Sequence, residues 1–264
     1  MGVFGRIMWK TVKYGTATVG AAVGGITAYV YSKEPKKIQE NEYRNLVPNF
    51  ERKANMARLK NEEFDVLVIG GGATGTSVAL DCASRGLKCA LVERYDFASG
   101  TSSRSTKLLH GGVRYLEQAV YTLDPSMLML VWEALRERGH MLHSTPFMTR
   151  GLPIVMPLYS IFDTIQMSVG VTAYEVLGRM ATLFDPGLPN CYLISPSNAV
   201  FNFPLLKAEG LRSALLYYDG QQNDARVNMS IAMTAATPNY VDGWEAAAIC
   251  NHTKAEKILL NSEG

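Results

Sequence analysis

The stretch Phe64-Asp65-Val66-Leu67-Val68-Ile69-Gly70-Gly71-Gly72-Ala73-Thr74-Gly75, with Glu93 eighteen residues beyond its last glycine, decides the fold. Residues 66–69 form a continuous apolar run rich in branched side chains, the pattern of a strand buried on both faces. Gly70 permits a tight turn out of that strand. Gly72 lets backbone approach a pyrophosphate, and Gly75 lets the following helix pack close to the sheet. Thr74, Val78 and Cys82 then recur every four residues with Ala79 and Ala83 beside them, one apolar stripe of a helix over 73–85. Gly86 stands where a helix end favours a left-handed residue. Residues 87–92 are the second strand, closed by Glu93. The unit is a strand–helix–strand crossover of about thirty residues. Its helix N-terminus directs N–H groups and a positive dipole end at phosphates. Glu93 is placed to accept hydrogen bonds from an adenosine ribose, and its charge disfavours a 2′-phosphate. The pattern is that of a dinucleotide site.

Outward from this unit the composition is that of a globular protein. The chain has 264 residues, 47% hydrophobic and 19% charged, enough for one large domain or two small ones. A net charge of +2 suggests no general nucleic-acid affinity. Cys82, Cys89, Cys191 and Cys250 are scattered, with no CxxC pair and no histidine at zinc-ligand spacing. They read as reduced thiols in packed positions, and no metal site is expected. The charge is uneven, however. Residues 1–33 carry Arg6, Lys10, Lys13 and Lys33, several hydroxyl residues and no acid, the composition of a mitochondrial transit peptide. Residues 15–31 are uncharged and rich in Gly, Ala and Thr, near the lower length limit of a spanning helix. A presequence, a retained membrane anchor, and a secretory signal or disordered tail are the three readings of this region.

Residues 32–63 are charged and broken by Pro35 and Pro48; they read as a linker or a short leading helix outside the core, with 49–61 as the helix. Further on, 126–143 reads as a helix and 152–157 as a short strand. Residues 161–183 are long and apolar, but Asp163, Gln166, Glu175 and Arg179 interrupt them, so an amphipathic or buried helix is expected rather than a span. Four prolines, 186, 189, 196 and 204, mark a loop-rich region. Residues 211–218 read as a strand, Asp219-Gly220 as a turn, and 224–236 as a helix capped by Asn223.

The choice between a nicotinamide and a flavin rests on the next segment. A nicotinamide enzyme would continue into another crossover helix. Here residues 98–106 hold four serines and two threonines, a stretch able to wrap a pyrophosphate and start a helix whose N–H groups face a flavin; Arg104 and Lys107 add positive charge. A solvated polar loop is the plainer reading of the same residues.

Two landmarks then carry a family resemblance. The segment Ser102-Ser103-Arg104-Ser105-Thr106-Lys107-Leu108-Leu109-His110-Gly111-Gly112-Val113-Arg114-Tyr115-Leu116-Glu117, and Leu216-Tyr217-Tyr218-Asp219-Gly220-Gln221-Gln222-Asn223-Asp224-Ala225-Arg226 after it, resemble the FAD-dependent glycerol-3-phosphate dehydrogenases, most of all the mitochondrial ones. The resemblance covers roughly residues 1–236. It implies an α/β, Rossmann-like FAD-binding domain of the glutathione-reductase/amino-acid-oxidase type, incomplete at the C-terminus: in the family the strand after the Asp224 helix joins the sheet beside the second strand, and that strand is among the parts expected to be missing here. It implies oxidation of glycerol 3-phosphate to dihydroxyacetone phosphate, with hydride transfer to FAD and electrons passed to a quinone, at the outer face of the mitochondrial inner membrane. It leaves a homo-oligomer open, and no nucleic-acid partner is expected.

By the same resemblance Gly70, Gly72, Gly75 and Glu93 hold FAD, with Ala73, Thr74 and Arg94 beside them. Ser102, Ser103, Lys107, His110 and Gly111 form the flavin-facing segment, and Arg114 and Tyr115 line the substrate pocket, where a guanidinium suits an anion. Arg114 has a surface salt bridge as its alternative role. The general base is not assigned; His110 is a candidate, but the adjoining Gly111-Gly112 suggests a backbone role beside the flavin.

The expected organisation is 1–42 transit peptide or membrane segment, 43–62 linker, 63–236 partial FAD-binding and substrate domain, and 237–264 a divergent tail, as from a truncated isoform. The family is much longer, so open sheet edges, weak FAD affinity and little turnover are expected of the chain alone. The second reading is therefore a catalytically deficient chain that binds FAD weakly or associates with the full-length enzyme. An amine or amino-acid oxidase is a third, against which the Arg114-Tyr115 segment argues. Asn228-Met229-Ser230 and Asn251-His252-Thr253 match glycosylation sequons, by chance in a mitochondrial chain.

Overall fold

The computed structural model of the chain describes residues 51–183 and 185–259. The transit peptide or membrane segment expected over 1–42 lies outside the described residues, as do residues 43–50 of the expected linker and the last five of the expected tail.

The crossover unit forms as its sequence dictates. Strand β1 (Val66–Ile69), helix α2 (Ala73–Ser84) and strand β2 (Cys89–Val92) follow a leading helix α1 (Arg52–Asn61). The two strands pair in parallel, Val66 opposite Cys89 and Ile69 opposite Val92. On the far side of β2 lies β7 (Ala248–Cys250), also parallel, with Ala90 opposite Ala248. The order β1-β2-β7 puts a strand that follows the Asp224 helix beside the second strand, the family position that was expected to be empty in this chain. Val68, Leu91 and Ile249, one from each strand, pack under Ala79 and Cys82 of α2 and under Ala232 and Ala235 of the helix before β7. These small helical residues let two helices lie close on the same face of the sheet.

Three expectations change here. β1 is covered on one face only: Leu67 and Ile69 are each 56% exposed, because no described strand or helix lies against that side. Residues 52–61 do not stand outside the core. Arg58 of α1 donates to the Ala246 carbonyl at 3.2 Å, and the Arg52 guanidinium reaches the Asn251 and His252 carbonyls, so α1 docks on the β7 edge. Within the segment expected as a divergent tail, Ala247, Ala248, Ile249 and Cys250 are all buried, and the tail supplies the third strand.

The second sheet is antiparallel. Its spine is β6 (Ser213–Gln222), paired along its whole length with β4 (Thr149–Leu158), and flanked by β3 (Leu108–Leu109) at one end and β5 (Tyr192–Ile194) at the other. Asp219-Gly220 is therefore no turn: Asp219 lies opposite Leu152, and Gly220 opposite Gly151 and Leu109. A side chain at Gly220 would come within 2.8 Å of Leu109 Cβ, so this glycine serves the close approach of β3.

Helices α3 (Val113–Thr122), α4 (Pro125–Ser144) and α5 (Ile161–Ala181) surround Leu116, Val131, Leu135 and Tyr174. Asp124 caps α4 by accepting the Ser126 N–H at 2.8 Å, with Pro125 in the first turn. α5 buries Val171, Tyr174, Gly178 and Ala181 along one stripe and leaves Phe162, Ile165 and Val169 exposed, so it packs by one face and is not a buried helix. Among the described residues no helix is long and apolar enough to cross a membrane. A short α6 (Pro196–Asn202) interrupts the proline-rich region. From the end of β6 the chain passes through Asn223, which accepts the Arg226 N–H at 3.2 Å, straight into α7 (Asp224–Ala235).

Candidate functional site: the turn after the first strand and the loop that crosses it

Gly70 leaves β1 at a φ of +113°, an angle that favours glycine, and donates to the Val92 carbonyl at 2.9 Å. Gly71 N–H then donates to Glu93 Oε2 at 2.6 Å, while Glu93 Oε1 accepts the Tyr95 N–H at 2.7 Å. The Glu93 backbone is held as firmly: its N–H donates to the Cys250 carbonyl at 2.8 Å, and its carbonyl accepts the Thr253 N–H at 2.7 Å. The acid thus sits at the carboxyl ends of all three parallel strands. Gly72 begins α2, and the Ala73 N–H donates to Ser102 Oγ at 2.9 Å. A Cβ on Gly72 would stand 3.0 Å from that hydroxyl, and one on Gly75 would run into the Gly70 carbonyl. Gly70 thus makes the tight turn and Gly75 the close approach of helix to strand that were read from the sequence. Ala73 and Thr74 are exposed in the first turn of α2, where N–H groups lack intrahelical acceptors. Arg94 is exposed and leans on Tyr95, its Cζ 4.3 Å from the ring centre.

Two residues that shape this turn, Gly71 within it and Asn228 on α7, were given no part in the site by the sequence. A side chain on Gly71 would meet Phe97 Cδ1 at 2.6 Å and Glu93 Cβ at 2.9 Å. Its carbonyl accepts the Ala98 N–H at 3.0 Å and Asn228 Nδ2 at 2.9 Å. Asn228, on α7, also accepts the Thr76 hydroxyl at 2.7 Å, and both side chains are buried. The signal for Asn228 was its place on the apolar stripe of α7, between Val227 and Ala232. Its buried, doubly bonded side chain leaves no room for a glycan, so that sequon is inert in the folded chain.

The polar segment takes a different shape from the expected helix start. Thr101–Ser103 make one 3₁₀ turn, with Ser103 Oγ on the Gly100 carbonyl at 3.3 Å, and the chain then extends into β3. The reason is Asp224. Its Oδ2 accepts the Ser105 N–H at 3.1 Å, the Ser105 hydroxyl at 2.7 Å and Lys107 Nζ at 3.1 Å. The hydrogen bonds from Ser105, followed by that from Lys107, outweigh burial and hold the Asp224 carboxyl down to about 2. Lys107 also donates to the Ser103 carbonyl at 3.2 Å. Its backbone at φ +62° lies outside the helical region. Lys107, expected to face a flavin, is tied to Asp224 of α7 and fixes the loop.

Beyond β3, His110 is exposed and Gly111 buried. Gly112, at φ +74°, starts α3, whose first turn carries Arg114 and Tyr115, both exposed. Arg114 makes no ion pair with any described residue, so the salt-bridge alternative finds no support there. The Gly111 N–H donates to the Tyr174 hydroxyl at 2.6 Å. Tyr174 in turn donates to Asp219 Oδ1 at 2.9 Å, and Arg138 Nη1 donates to both, at 2.6 Å to Asp219 and 3.1 Å to Tyr174. Arg138 and Asp219 form a buried pair, with side chains 4% and 5% exposed. Burial pushes the Asp219 carboxyl up against the opposing pull of Arg138, and pushes the Tyr174 phenol up as well. None of Arg138, Tyr174 and Asp219 was expected at the site from sequence. The thiols fit the packed reading: Cys82, Cys89 and Cys250 are buried, and burial drives Cys89 up to about 12. Among the described residues no group of His, Cys, Asp or Glu is placed to hold a metal.

The structure therefore gathers Gly70, Gly72, Ala73, Gly75, Glu93 and Ser102 at one point. A side-chain-free turn, a helix N-terminus and an acid at the strand ends fit the adenosine and pyrophosphate part of a dinucleotide. The sequence model of the family described as FAD dependent oxidoreductase matches residues 65–258. The chain belongs to that family. The match runs through β7 and most of the segment set apart as a tail. The chain is a homologue of the mitochondrial glycerol-3-phosphate dehydrogenases. It is 46% identical over 247 residues to the probable mitochondrial glycerol-3-phosphate dehydrogenase of Dictyostelium discoideum, covering 90% of this chain and 36% of that one. It is 49% identical over 197 residues to the mitochondrial glycerol-3-phosphate dehydrogenase of Mus musculus, covering 72% and 26%. Among solved structures, glycerol-3-phosphate dehydrogenase from Bacillus halodurans complexed with FAD is similar, with a TM-score of 0.53 and 26% identity over 82% of this chain and 32% of that one. The chain thus spans 26–36% of these relatives' lengths. Its fold is the FAD-binding α/β fold of the family, partial beside that solved neighbour.

Proposed function

We propose that the chain carries the FAD-holding part of a flavin-linked glycerol-3-phosphate dehydrogenase. The observation that supports this most is the convergence of Gly71, Ala73, Glu93 and Ser102, from three separate stretches of sequence, at the start of α2. FAD, when bound, supplies the acceptor for the hydride that leaves C2 of glycerol 3-phosphate as the alcohol becomes a ketone and releases a proton. Glu93 would accept the ribose hydroxyls. The Thr74 N–H and the hydroxyls of Ser102 and Ser103 would hold the pyrophosphate, the Ser102 hydroxyl being aimed by the Ala73 N–H, with Gly70, Gly72 and Gly75 clearing the space and Arg94 beside the adenosine. His110 and Gly111 would border the flavin, and Lys107 would keep the loop against α7. Arg114 and Tyr115 would hold the substrate's phosphate. A quinone as electron acceptor and a place at the outer face of the mitochondrial inner membrane belong to the same reading; the relatives' names support its mitochondrial part.

A second reading is favoured by β1. Leu67 and Ile69 are exposed on a strand whose outer edge has no described partner, which suits a chain that binds FAD weakly or works in association with further polypeptide such as a full-length enzyme. One experiment separates the two. The flavin spectrum of the purified chain is recorded without oxygen before and after glycerol 3-phosphate. A bound flavin that bleaches supports the dehydrogenase; a bound flavin that stays oxidised supports the second reading; a folded chain that takes up no flavin refutes the first.

A further inference from the structure

Gly111 is held by a device that the dinucleotide motif does not call for. Its N–H meets the Tyr174 hydroxyl at 2.6 Å, and that hydroxyl is fixed in turn by Asp219 at 2.9 Å and Arg138 at 3.1 Å. Three elements thus converge on one peptide: α4 through Arg138, α5 through Tyr174 and β6 through Asp219. The fit is close from every side. A side chain on Gly111 would run into Leu135 Cδ2 and stand 2.8 Å from the Tyr174 hydroxyl, and one on Gly178 of α5 would stand 3.1 Å from Arg138 Nη2. A buried pair of this kind is weak as a source of stability, since the desolvation of both charges offsets much of their attraction. What it does supply is direction: the Tyr174 hydroxyl, donating to Asp219 and accepting from Arg138, is left to accept one N–H in one place. Gly111 lies between His110 and the left-handed Gly112 that starts α3, so fixing its peptide fixes His110 on one side and the first turn with Arg114 and Tyr115 on the other.

We propose that Tyr174, oriented by Arg138 and Asp219, is a positioning residue for the flavin-ring end of the site, setting the Gly111 peptide and the His110–Tyr115 segment. It acts on that end alone, because the adenosine end is set separately by Glu93, Ser102 and Asn228. This rests on the flavin reading above.

The test is binding of FAD and of ADP to the whole chain and to Tyr174→Phe, together with amide exchange of residues 108–116. ADP reports the Gly70–Glu93 end and FAD both ends. The expected result is a loss of about five- to tenfold in FAD affinity, the scale of one hydrogen bond, with ADP affinity unchanged and faster exchange at Gly111. Equal weakening of FAD and ADP would reduce Tyr174 to a structural role and overturn the inference. So would unchanged FAD binding. If the wild-type chain binds ADP but gains nothing from the flavin ring, the inference fails and the dinucleotide reading stands. If it binds neither, the proposed function fails as well. Should the variant not fold, exchange in the wild type decides: Gly111 protected as well as β6 supports the inference, and rapid exchange at Gly111 overturns it.

Discussion

Replacing Asn228 by Asp keeps the shape of the side chain and reverses half of its chemistry. Asn228 Nδ2 donates to the Gly71 carbonyl at 2.9 Å, and Oδ1 accepts the Thr76 hydroxyl at 2.7 Å, at a residue only 2% exposed. An ionised carboxylate there would turn lone pairs on the Gly71 carbonyl, whereas a protonated one restores the lost donor. Burial and that hydrogen bond both favour the protonated form, so the folded pKa rises above the roughly 3.9 of the unfolded chain. A rise of about 3 units is typical of a buried carboxyl, and each unit is about 1.4 kcal/mol. The folded state then keeps a proton that the unfolded state releases, so stability falls as pH rises. The penalty begins near pH 4, grows by about 1.4 kcal/mol per pH unit, and levels off at roughly 4 kcal/mol above about pH 7.

Asn228→Ala is the reference. It removes two hydrogen bonds of about 1 kcal/mol each and orphans nothing, because the Gly71 carbonyl keeps the Ala98 N–H and the Thr76 hydroxyl keeps the Gly72 and Ala73 carbonyls. Its cost of about 2 kcal/mol should not depend on pH. Urea unfolding of the three proteins at several pH values measures both effects. If Asn228→Asp tracks Asn228→Ala at every pH, the carboxylate reaches water and Asn228 does not bridge α7 to the glycine turn.

Three further outcomes follow from the same geometry. Asp224, held at about 2 against an ordinary 3.8, contributes stability that is complete above about pH 4 and is lost as pH falls through the folded value; Asp224→Asn should flatten that part of the acid-unfolding curve, and equal slopes would deny its grip on Ser105 and Lys107. Asp219→Ala should cost about 3–5 kcal/mol by leaving the Arg138 charge buried and unpaired, whereas joint replacement by Arg138→Met and Asp219→Leu should cost far less in the same unfolding assay. Gly111→Ala overpacks Leu135 and Tyr174 and should lower stability by about 1–3 kcal/mol in chemical denaturation, with no loss expected if the peptide can move freely.

The crossover unit was legible because its signals are local: an apolar run, three glycines with separate duties, a stripe at helical spacing and an acid at a fixed offset. The caps at Asn223 and the left-handed Gly86 belong to the same class. What escaped depends on partners far along the chain. Asp219-Gly220 carries a strong turn signal, overridden because Gly220 accommodates β3. The polar segment looked like a helix start, but Asp224, more than a hundred residues away, captures Ser105 and Lys107 and holds the chain extended. β7 is only three residues long, and its apolar stretch Ala247-Ala248-Ile249-Cys250 follows a polar, turn-rich segment that hides it. Arg138, Tyr174 and Asp219 each sit in an unremarkable local pattern; only their convergence marks them.

The stretch from Asp219 to Asn228 has a mechanical consequence. Within ten consecutive residues it engages Tyr174 and hence Gly111, then Ser105 and Lys107, then Gly71 and Thr76. It works as a calliper, one jaw on the loop before α3 and the other on the turn after β1, with the gap between them set by covalent chain. Two sheets of different kind could slide against each other as the protein breathes. The span between these jaws would still be preserved, so a long ligand reaching from one to the other would meet a gauge already cut to length.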